Sequence, residues 1–188
     1  PFCGFPVSNY DNTYPEAYAS VSYQGTKSLL IYTVQNDTNL KYTYYAVGPI
    51  DPNMNATDLY TSFAAQGTSI SAGISSTLLV GVMSDPNDFS TFVAADTLQV
   101  PAGVWSIYDI YFNELAGATD GTYIAYAGIC TNMTNGQGTN ILALDNIFID
   151  VDPGCRRPQN LTATLPGADE MTLSWDQYVS VSTWNVVF

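Results

Sequence analysis

The sequence predicts an all-β protein, an antiparallel two-layer β-sandwich of the jelly-roll type. Apolar residues occur in short runs bounded by Gly, Pro, Asn and Asp, and no stretch shows a sustained helical period. Aromatic and β-branched residues, which favour strands, fill these runs. About eight strands in roughly 150 residues are typical of a jelly roll or a related sandwich.

The predicted strands of this sandwich follow one another along most of the chain. In order they are Ser28–Val34, Tyr42–Val47, Asp58–Ala65, Thr77–Met83, Thr91–Gln99, Ser106–Phe112, Thr122–Ala127 and Leu142–Val151. The run that begins at Trp105 alternates between two faces, and its first face holds Trp105, Ile107, Asp109 and Tyr111. Its second face is also apolar, as expected for a strand in a two-layer sandwich.

Turn signals rich in Pro, Gly, Asn and Asp separate the strands. They are 49–53, 85–88, 101–103 and 120–121. Asp85-Pro86-Asn87-Asp88 resembles the start of an EF-hand loop, but it lacks the glycine at position six and the glutamate at position twelve. We therefore interpret it as a turn capped by its own Asp and Asn side chains.

A Pro-Gly linker predicts a domain boundary near residue 152. It is followed by Arg156 and Arg157, which are the only arginines in the chain. The first domain is therefore predicted to span residues 1–152, and residues 153–188 to form a linker and an incomplete second domain. The second part contains three short strand patterns, Asn160–Leu165, Met171–Asp176 and Thr183–Phe188.

The charge balance excludes several classes of function. The chain of 188 residues has 17 acidic residues, 4 basic residues and no histidine, for a net charge of −13. So few cations cannot line a phosphate backbone, and we expect no nucleic-acid partner. The absence of histidine excludes Ser-His-Asp and Cys-His catalysis and histidine metal sites. Carboxylate chemistry, calcium ligation and aromatic contacts remain.

Neither a membrane span nor a disulfide framework is evident. The longest apolar run is Leu78–Met83, far shorter than the ~20 residues that a spanning helix needs. No leader pattern opens the chain, so we expect any export signal to have been removed. Cys3, Cys130 and Cys155 leave two arrangements open, one bridge with a free thiol or three buried thiols.

Several segments in a fixed order carry a family resemblance. They are 25–32, 80–88, 90–93, 105–108, 121–126 and 144–147. Together, over roughly residues 10 to 152, they resemble the MAM-like, cleaved-adhesin type of jelly-roll domain (a concanavalin-like sandwich) of bacterial surface proteins. The resemblance implies a secreted or cell-surface location. Residues 158–164 and 171–176 resemble the first strands of a fibronectin type III domain, which needs about 90–100 residues in all.

The resemblance also singles out Asp145. Domains of this family end with a paired Asp-Asp-Ile, where the sequence here has Asp145-Asn146-Ile147. It implies a structural calcium ion, the single candidate cofactor, held at this edge. In the family an acidic residue helps to hold it, on a strand that precedes the segment found here as Pro1-Phe2-Cys3, and we expect that strand to be missing from this sequence. Calcium takes 6–8 oxygen ligands. The alternative is that Asp145 accepts backbone hydrogen bonds at a strand edge.

Tyrosines are the candidate ligand-binding residues, because their rings stack on sugars and contact proteins. Those on predicted strands are expected to fill the core. Those in the opening segment are the candidate binding residues: Tyr10, Tyr14, Tyr18 and Tyr23.

These observations predict a non-catalytic adhesion or binding module of a longer extracellular protein. Its expected partners are glycans or extracellular proteins, together with other domains of the same chain. One alternative is a structural spacer beside a catalytic domain. The other is a glycosidase with paired carboxylates, which we disfavour because the chain has only three glutamates, none in a recognisable acidic motif.

Overall fold

A computed structural model describes residues 4–8, 15–35, 39–48, 54–67, 76–113, 115, 123–130, 138–154, 159–167 and 170–176. The strands of these residues, labelled β1 to β12 in chain order, are Gly4–Ser8, Glu16–Tyr18, Ser28–Gln35, Lys41–Val47, Leu59–Gly67, Ser76–Met83, Val93–Val100, Ser106–Tyr111, Tyr123–Cys130, Gly138–Val151, Gln159–Gly167 and Glu170–Asp176. The helical segments within the described ranges are two single 3₁₀ turns, Ala56–Asp58 and Phe89–Thr91.

Ten strands form two five-stranded antiparallel sheets. Sheet A has the order β1-β4-β9-β6-β7, and sheet B has the order β2-β3-β10-β5-β8. Of the eight described pairs of adjacent strands, six join strands that are not consecutive in the chain, as in a jelly roll, and only β2–β3 and β6–β7 are consecutive. The predicted fold class, an all-β antiparallel sandwich, is confirmed.

All eight strands predicted between residues 28 and 151 are present, with ends displaced by up to four residues. Two further strands, β1 and β2, lie at sheet edges. The sequence signal for them is weak because β1 contains Gly4 and Pro6 and β2 has three residues. Pairing with β4 and β3 supplies their hydrogen bonds, and an edge position tolerates a proline without a backbone N–H.

The main core lies between the two sheets. Its largest fully buried members include Phe63, Tyr126, Ile31 and Leu144. The Tyr126 hydroxyl lies 2.6 Å from Thr61 Oγ1, which places a polar group in the core with a partner. Burial raises the pKa of Tyr126 above its usual value. The expectation that a strand tyrosine fills the core is confirmed for this residue.

A second cluster covers the outer face of sheet A. Tyr44 and Ala46 alternate along β4 with residues that face the main core, and the Phe89–Thr91 turn lies against them. The Tyr44 hydroxyl donates to the Pro86 carbonyl at 2.6 Å. Asp85 Oδ1 accepts from Asn87 N and Asp88 Oδ1 from Ser90 N, at 2.8 and 2.9 Å. The predicted turn is confirmed, with the side chains of Asp85 and Asp88 as its caps.

The chain divides into two compact units, Pro1–Val151 and Asp152–Phe188. In the second unit β11 and β12 form an antiparallel hairpin, with Ala163 opposite Leu173. Thr162 Oγ1 and Ser174 Oγ lie 2.6 Å apart on its polar face. Residues 183–188, predicted as a further strand, lie outside the described ranges. The assignment of this unit to a fibronectin type III domain stays a prediction.

Candidate functional site

A β-bulge in β10 shapes the outer face of sheet B. Asp145 pairs with Ala64 of β5, and the next pair is Phe148 with Ser62, so three steps along β10 match two along β5. The extra residue allows Asn146 to adopt a left-handed backbone, with φ of +49°. The bulge shifts the alternation of β10 by one residue. Asp145 and Phe148 therefore both lie on the outer face of the sheet, whereas Leu144 and Ile149 face the core.

The carboxylate of Asp145 anchors the segment that joins β2 to β3. Its Oδ2 accepts hydrogen bonds from the backbone N–H groups of Tyr23 at 2.8 Å and Gln24 at 3.0 Å. Its Oδ1 accepts from Asn146 N at 2.7 Å, and Asn146 Nδ2 donates to Gln24 Oε1 at 2.8 Å. Charge-assisted bonds of this kind are the stronger class, and here they fix the backbone of Tyr23 to the sheet.

The N–H groups that donate to the Asp145 carboxylate do not fit a calcium ion bound there. Three N–H groups occupy its carboxylate oxygens, whereas calcium needs oxygen ligands that are free to face it. Within the described ranges there is also no cluster of three or more Asp, Glu, Cys or His side chains that could hold a metal. The geometry matches the alternative stated for Asp145, a carboxylate that accepts backbone hydrogen bonds, and the calcium assignment stays a prediction.

The anchored segment presents an aromatic pair. The Tyr23 side chain is 45% exposed, and its ring centroid lies 5.7 Å from that of Trp105 at an interplanar angle of 55°. Trp105 directly precedes β8, and Ile107 two residues further on is 52% exposed on the same strand face. We call Tyr23 and Trp105 the Tyr23–Trp105 pair.

The same sheet face carries a second aromatic cluster, which we call the Tyr60 group. Tyr60 pairs across the strands with Tyr111, and their ring centroids lie 5.3 Å apart at 14°. Phe148 meets Tyr60 edge-on at 6.1 Å and is 48% exposed. These residues alternate with the core-facing Thr61, Ile110 and Ile149, which places them on the outer face of sheet B.

The candidate binding residues have different outcomes. Tyr10 and Tyr14 lie outside the described ranges, and Tyr18 is half-buried in edge strand β2. Tyr23 is exposed, and its backbone N–H donates a hydrogen bond to the Asp145 carboxylate. Trp105 was not singled out from the sequence as a binding residue, although its alternation with Ile107, Asp109 and Tyr111 placed it on one strand face.

No known protein family and no curated protein matches the sequence. Among solved structures, a cleaved adhesin domain of Lys-gingipain from Porphyromonas gingivalis is similar, with a TM-score of 0.55 and 14% identity, over 79% of this chain and 90% of that one. A family 30 carbohydrate-binding module has a TM-score of 0.51 and 10% identity, over 79% and 91% of the two chains.

The Endo-D glycoside hydrolase domain structure from Streptococcus pneumoniae has a TM-score of 0.51 and 14% identity. The match covers 92% of this chain but only 26% of that one. At such identities the likeness establishes the fold, which is the β-sandwich that adhesin domains and carbohydrate-binding modules share. The helices described here include none long and apolar enough to cross a membrane.

Proposed function

We propose that this protein is a non-catalytic binding module that engages a glycan through the Tyr23–Trp105 pair. One observation carries the proposal: an exposed tyrosine, whose backbone is fixed by a carboxylate from another strand, meets a tryptophan on an open sheet face. Flat aromatic side chains with a polar rim are suited to the apolar faces of sugar rings. Holding them rigid lowers the entropy lost on binding.

The absence of histidine and the scarcity of glutamate support a binding role over catalysis. A glycosidase needs a pair of carboxyl groups, one of them with a raised pKa. The aspartates with assigned hydrogen bonds, including Asp85, Asp88 and Asp145, accept from backbone N–H groups. They act as caps and anchors in this fold.

We further propose that the module belongs to a longer secreted or cell-surface bacterial protein. The ordered motifs that resemble cleaved-adhesin domains support this context, as does the likeness in fold to a gingipain adhesin domain. The hairpin of β11 and β12 would then open a following fibronectin type III domain. The free buried thiol of Cys130 is compatible with either arrangement of the three cysteines.

A glycan array followed by titration calorimetry tests the proposed binding. Trp105→Ala should weaken binding of the best array glycan by about 10-fold or more, since buried aromatic anchors dominate such interfaces. Val93→Ala is the control, because Val93 is an exposed apolar residue on β7 of the other sheet, sheet A. We expect it to leave the affinity unchanged.

Two results would contradict the proposal. A blank array would favour the spacer role or a protein ligand, which a pull-down with extracellular matrix proteins would detect. Binding that Trp105→Ala and Tyr23→Ala both leave intact would place the ligand elsewhere on the molecule.

A further inference from the structure

The Tyr23–Trp105 pair and the Tyr60 group lie at opposite ends of one continuous strip. The outer-facing positions run from Trp105, which directly precedes β8, to Tyr111, the last residue of β8. Six residues at ~3.3 Å each separate the two aromatic groups by roughly 20 Å along the strand. A strip of this length is longer than a single sugar or a disaccharide.

Two outer-facing residues of β8 lie between the two groups, the 52% exposed Ile107 and the half-buried Asp109. Ile107 lies opposite Ala64, and Asp109 lies opposite Ser62. Ala64 is only 2% exposed and Ser62 is half-buried, and both have short side chains. An exposed apolar residue and a carboxylate therefore lie along β8 between the two aromatic groups.

The bulge at Asn146 contributes directly to the second end. Phe148 pairs with Ser62 only because one extra residue precedes it in β10. If every residue after Leu144 paired regularly, without the bulge, Phe148 would lie opposite Thr61 and its side chain would turn towards the core. The bulge therefore brings Phe148 to the Tyr60 group, while Asp145, which precedes it, faces outward by regular alternation from Leu144.

The charge of the strip selects against anionic ligands. The five strands of sheet B contain no Lys or Arg, whereas Asp109, Asp145 and Asp150 lie on its outer face. Like charges placed together across an interface suppress the wrong partners. A neutral polymer avoids this repulsion.

We infer that the outer face of sheet B binds an extended, uncharged glycan chain, with one aromatic subsite at the Tyr23–Trp105 pair and another at the Tyr60 group. This inference rests on the proposed glycan-binding function and specifies its ligand. Contact at both subsites makes the affinity rise with chain length. The carboxylates between them disfavour uronic-acid polymers.

Calorimetry with defined oligosaccharides tests the inference. The probes are xylo-, cello- and malto-oligosaccharides of two and six sugars, with polygalacturonate as the anionic polymer. The six-sugar form of the preferred series should bind at least about 10-fold more tightly than its two-sugar form, because it reaches both subsites. Polygalacturonate should bind at least about 10-fold more weakly than the preferred neutral chain.

Phe148→Ala should weaken six-sugar binding by about 10-fold and leave two-sugar binding at the other subsite unchanged. Phe148→Tyr, which keeps the ring, should retain full affinity. Because Phe148 is half exposed, the alanine variant is expected to fold, and circular dichroism checks this.

Each contrary result has its own meaning. If Trp105→Ala weakens binding but chain length and Phe148→Ala have no effect, the extended site is overturned and the proposed function stands. Suppose that an array glycan binds in a Trp105-dependent way while none of the neutral chains binds, or while polygalacturonate binds more tightly than they do. Either result overturns the inference that the ligand is an uncharged chain. If no glycan depends on Trp105, the proposed function itself fails.

Discussion

The outer faces of the two sheets carry similar aromatic residues but use them differently. On sheet A, Tyr44 is fully buried and stacks with Phe89 at 5.3 Å, because the segment after β6 folds back over the sheet. On sheet B, the Tyr23–Trp105 pair and Phe148 stay accessible. One face is thus covered by the protein's own chain, whereas on the other, among the described residues, Tyr23 and Phe148 stay exposed.

The difference shows that aromatic content alone does not identify a binding surface. The Tyr44 hydroxyl donates a hydrogen bond to the Pro86 carbonyl, and the apolar residues around Tyr44 exclude water. On sheet B the corresponding interactions hold the backbone of Tyr23 in place and leave the ring exposed. A binding site requires rigid support together with an uncovered ring face.

The largest expected effect tests the covered face. Tyr44→Ala should lower the free energy of unfolding by about 3–5 kcal/mol, because it opens a cavity at a fully buried aromatic position. Denaturant unfolding measures the loss. Tyr44→Phe, which removes only the bond to Pro86, should cost about 1–3 kcal/mol.

Trp105→Ala is the matched variant on the open face. Its loss of stability should be about 1–2 kcal/mol, below that of Tyr44→Ala, since Trp105 is only half-buried. If it destabilised the protein as much as Tyr44→Ala does, the two faces would not differ as described.

The next effect concerns Asp145, whose carboxylate holds the backbone of Tyr23. Asp145→Ala should lower the free energy of unfolding by about 1–2 kcal/mol, since three backbone N–H groups lose a charged acceptor and water replaces it in part. It should also weaken glycan binding by releasing Tyr23. Denaturant unfolding and calorimetry measure the two effects, and unchanged affinity would show that the anchor does not position the ring.

Calcium provides a separate check on Asp145. We expect calcium titrations of the chelator-treated native protein and of Asp145→Ala to give the same heat, because N–H donors occupy the carboxylate. A heat that disappears in this variant would establish Asp145 as a calcium ligand.

A smaller effect tests the bulge. Asn146→Ala should be less stable than Asn146→Gly by about 1 kcal/mol, because alanine pays a steric cost at φ of +49° that glycine avoids. Both variants lose the side-chain bond to Gln24, so the difference isolates the backbone. Equal stability would show that the bulge relaxes when Asn146 is replaced.

A pH dependence in the sheet interior provides a last check. Burial raises the pKa of the Cys130 thiol to about 11, from 9.0 in the unfolded chain. Because the folded state favours the neutral thiol, this contribution is fully present below pH 9 and is lost as the pH rises through 11. Unfolding measured from pH 8 to 11 should show a steeper fall for the native protein than for Cys130→Ala. Parallel curves would contradict this assignment.

Much of the sandwich could be predicted because local alternation encodes it. The run from Trp105 to Phe112 alternates over its whole length, and β8 lies there. The edge strands β1 and β2 could not be predicted, since their hydrogen bonds depend on pairing with β4 and β3 rather than on their own composition.

The candidate site was predicted only in parts. Tyr23 and Asp145 were each singled out, for different reasons, and the structure joins them across 122 positions of sequence. No local pattern specifies such a contact, because it depends on how the sheet brings β10 beside the segment before β3. Trp105 enters the pair for the same reason.

The sequence by itself determined the fold class, the turns and the exclusion of histidine and nucleic-acid chemistry, because alternation, turn residues and composition are local or additive properties. Only the tertiary structure decided which aromatic face is covered. It also decided that the carboxylate of Asp145 anchors a loop and that the bulge turns Phe148 outward. Each of these depends on strand register and on contacts between distant segments, which a pattern along the chain does not contain.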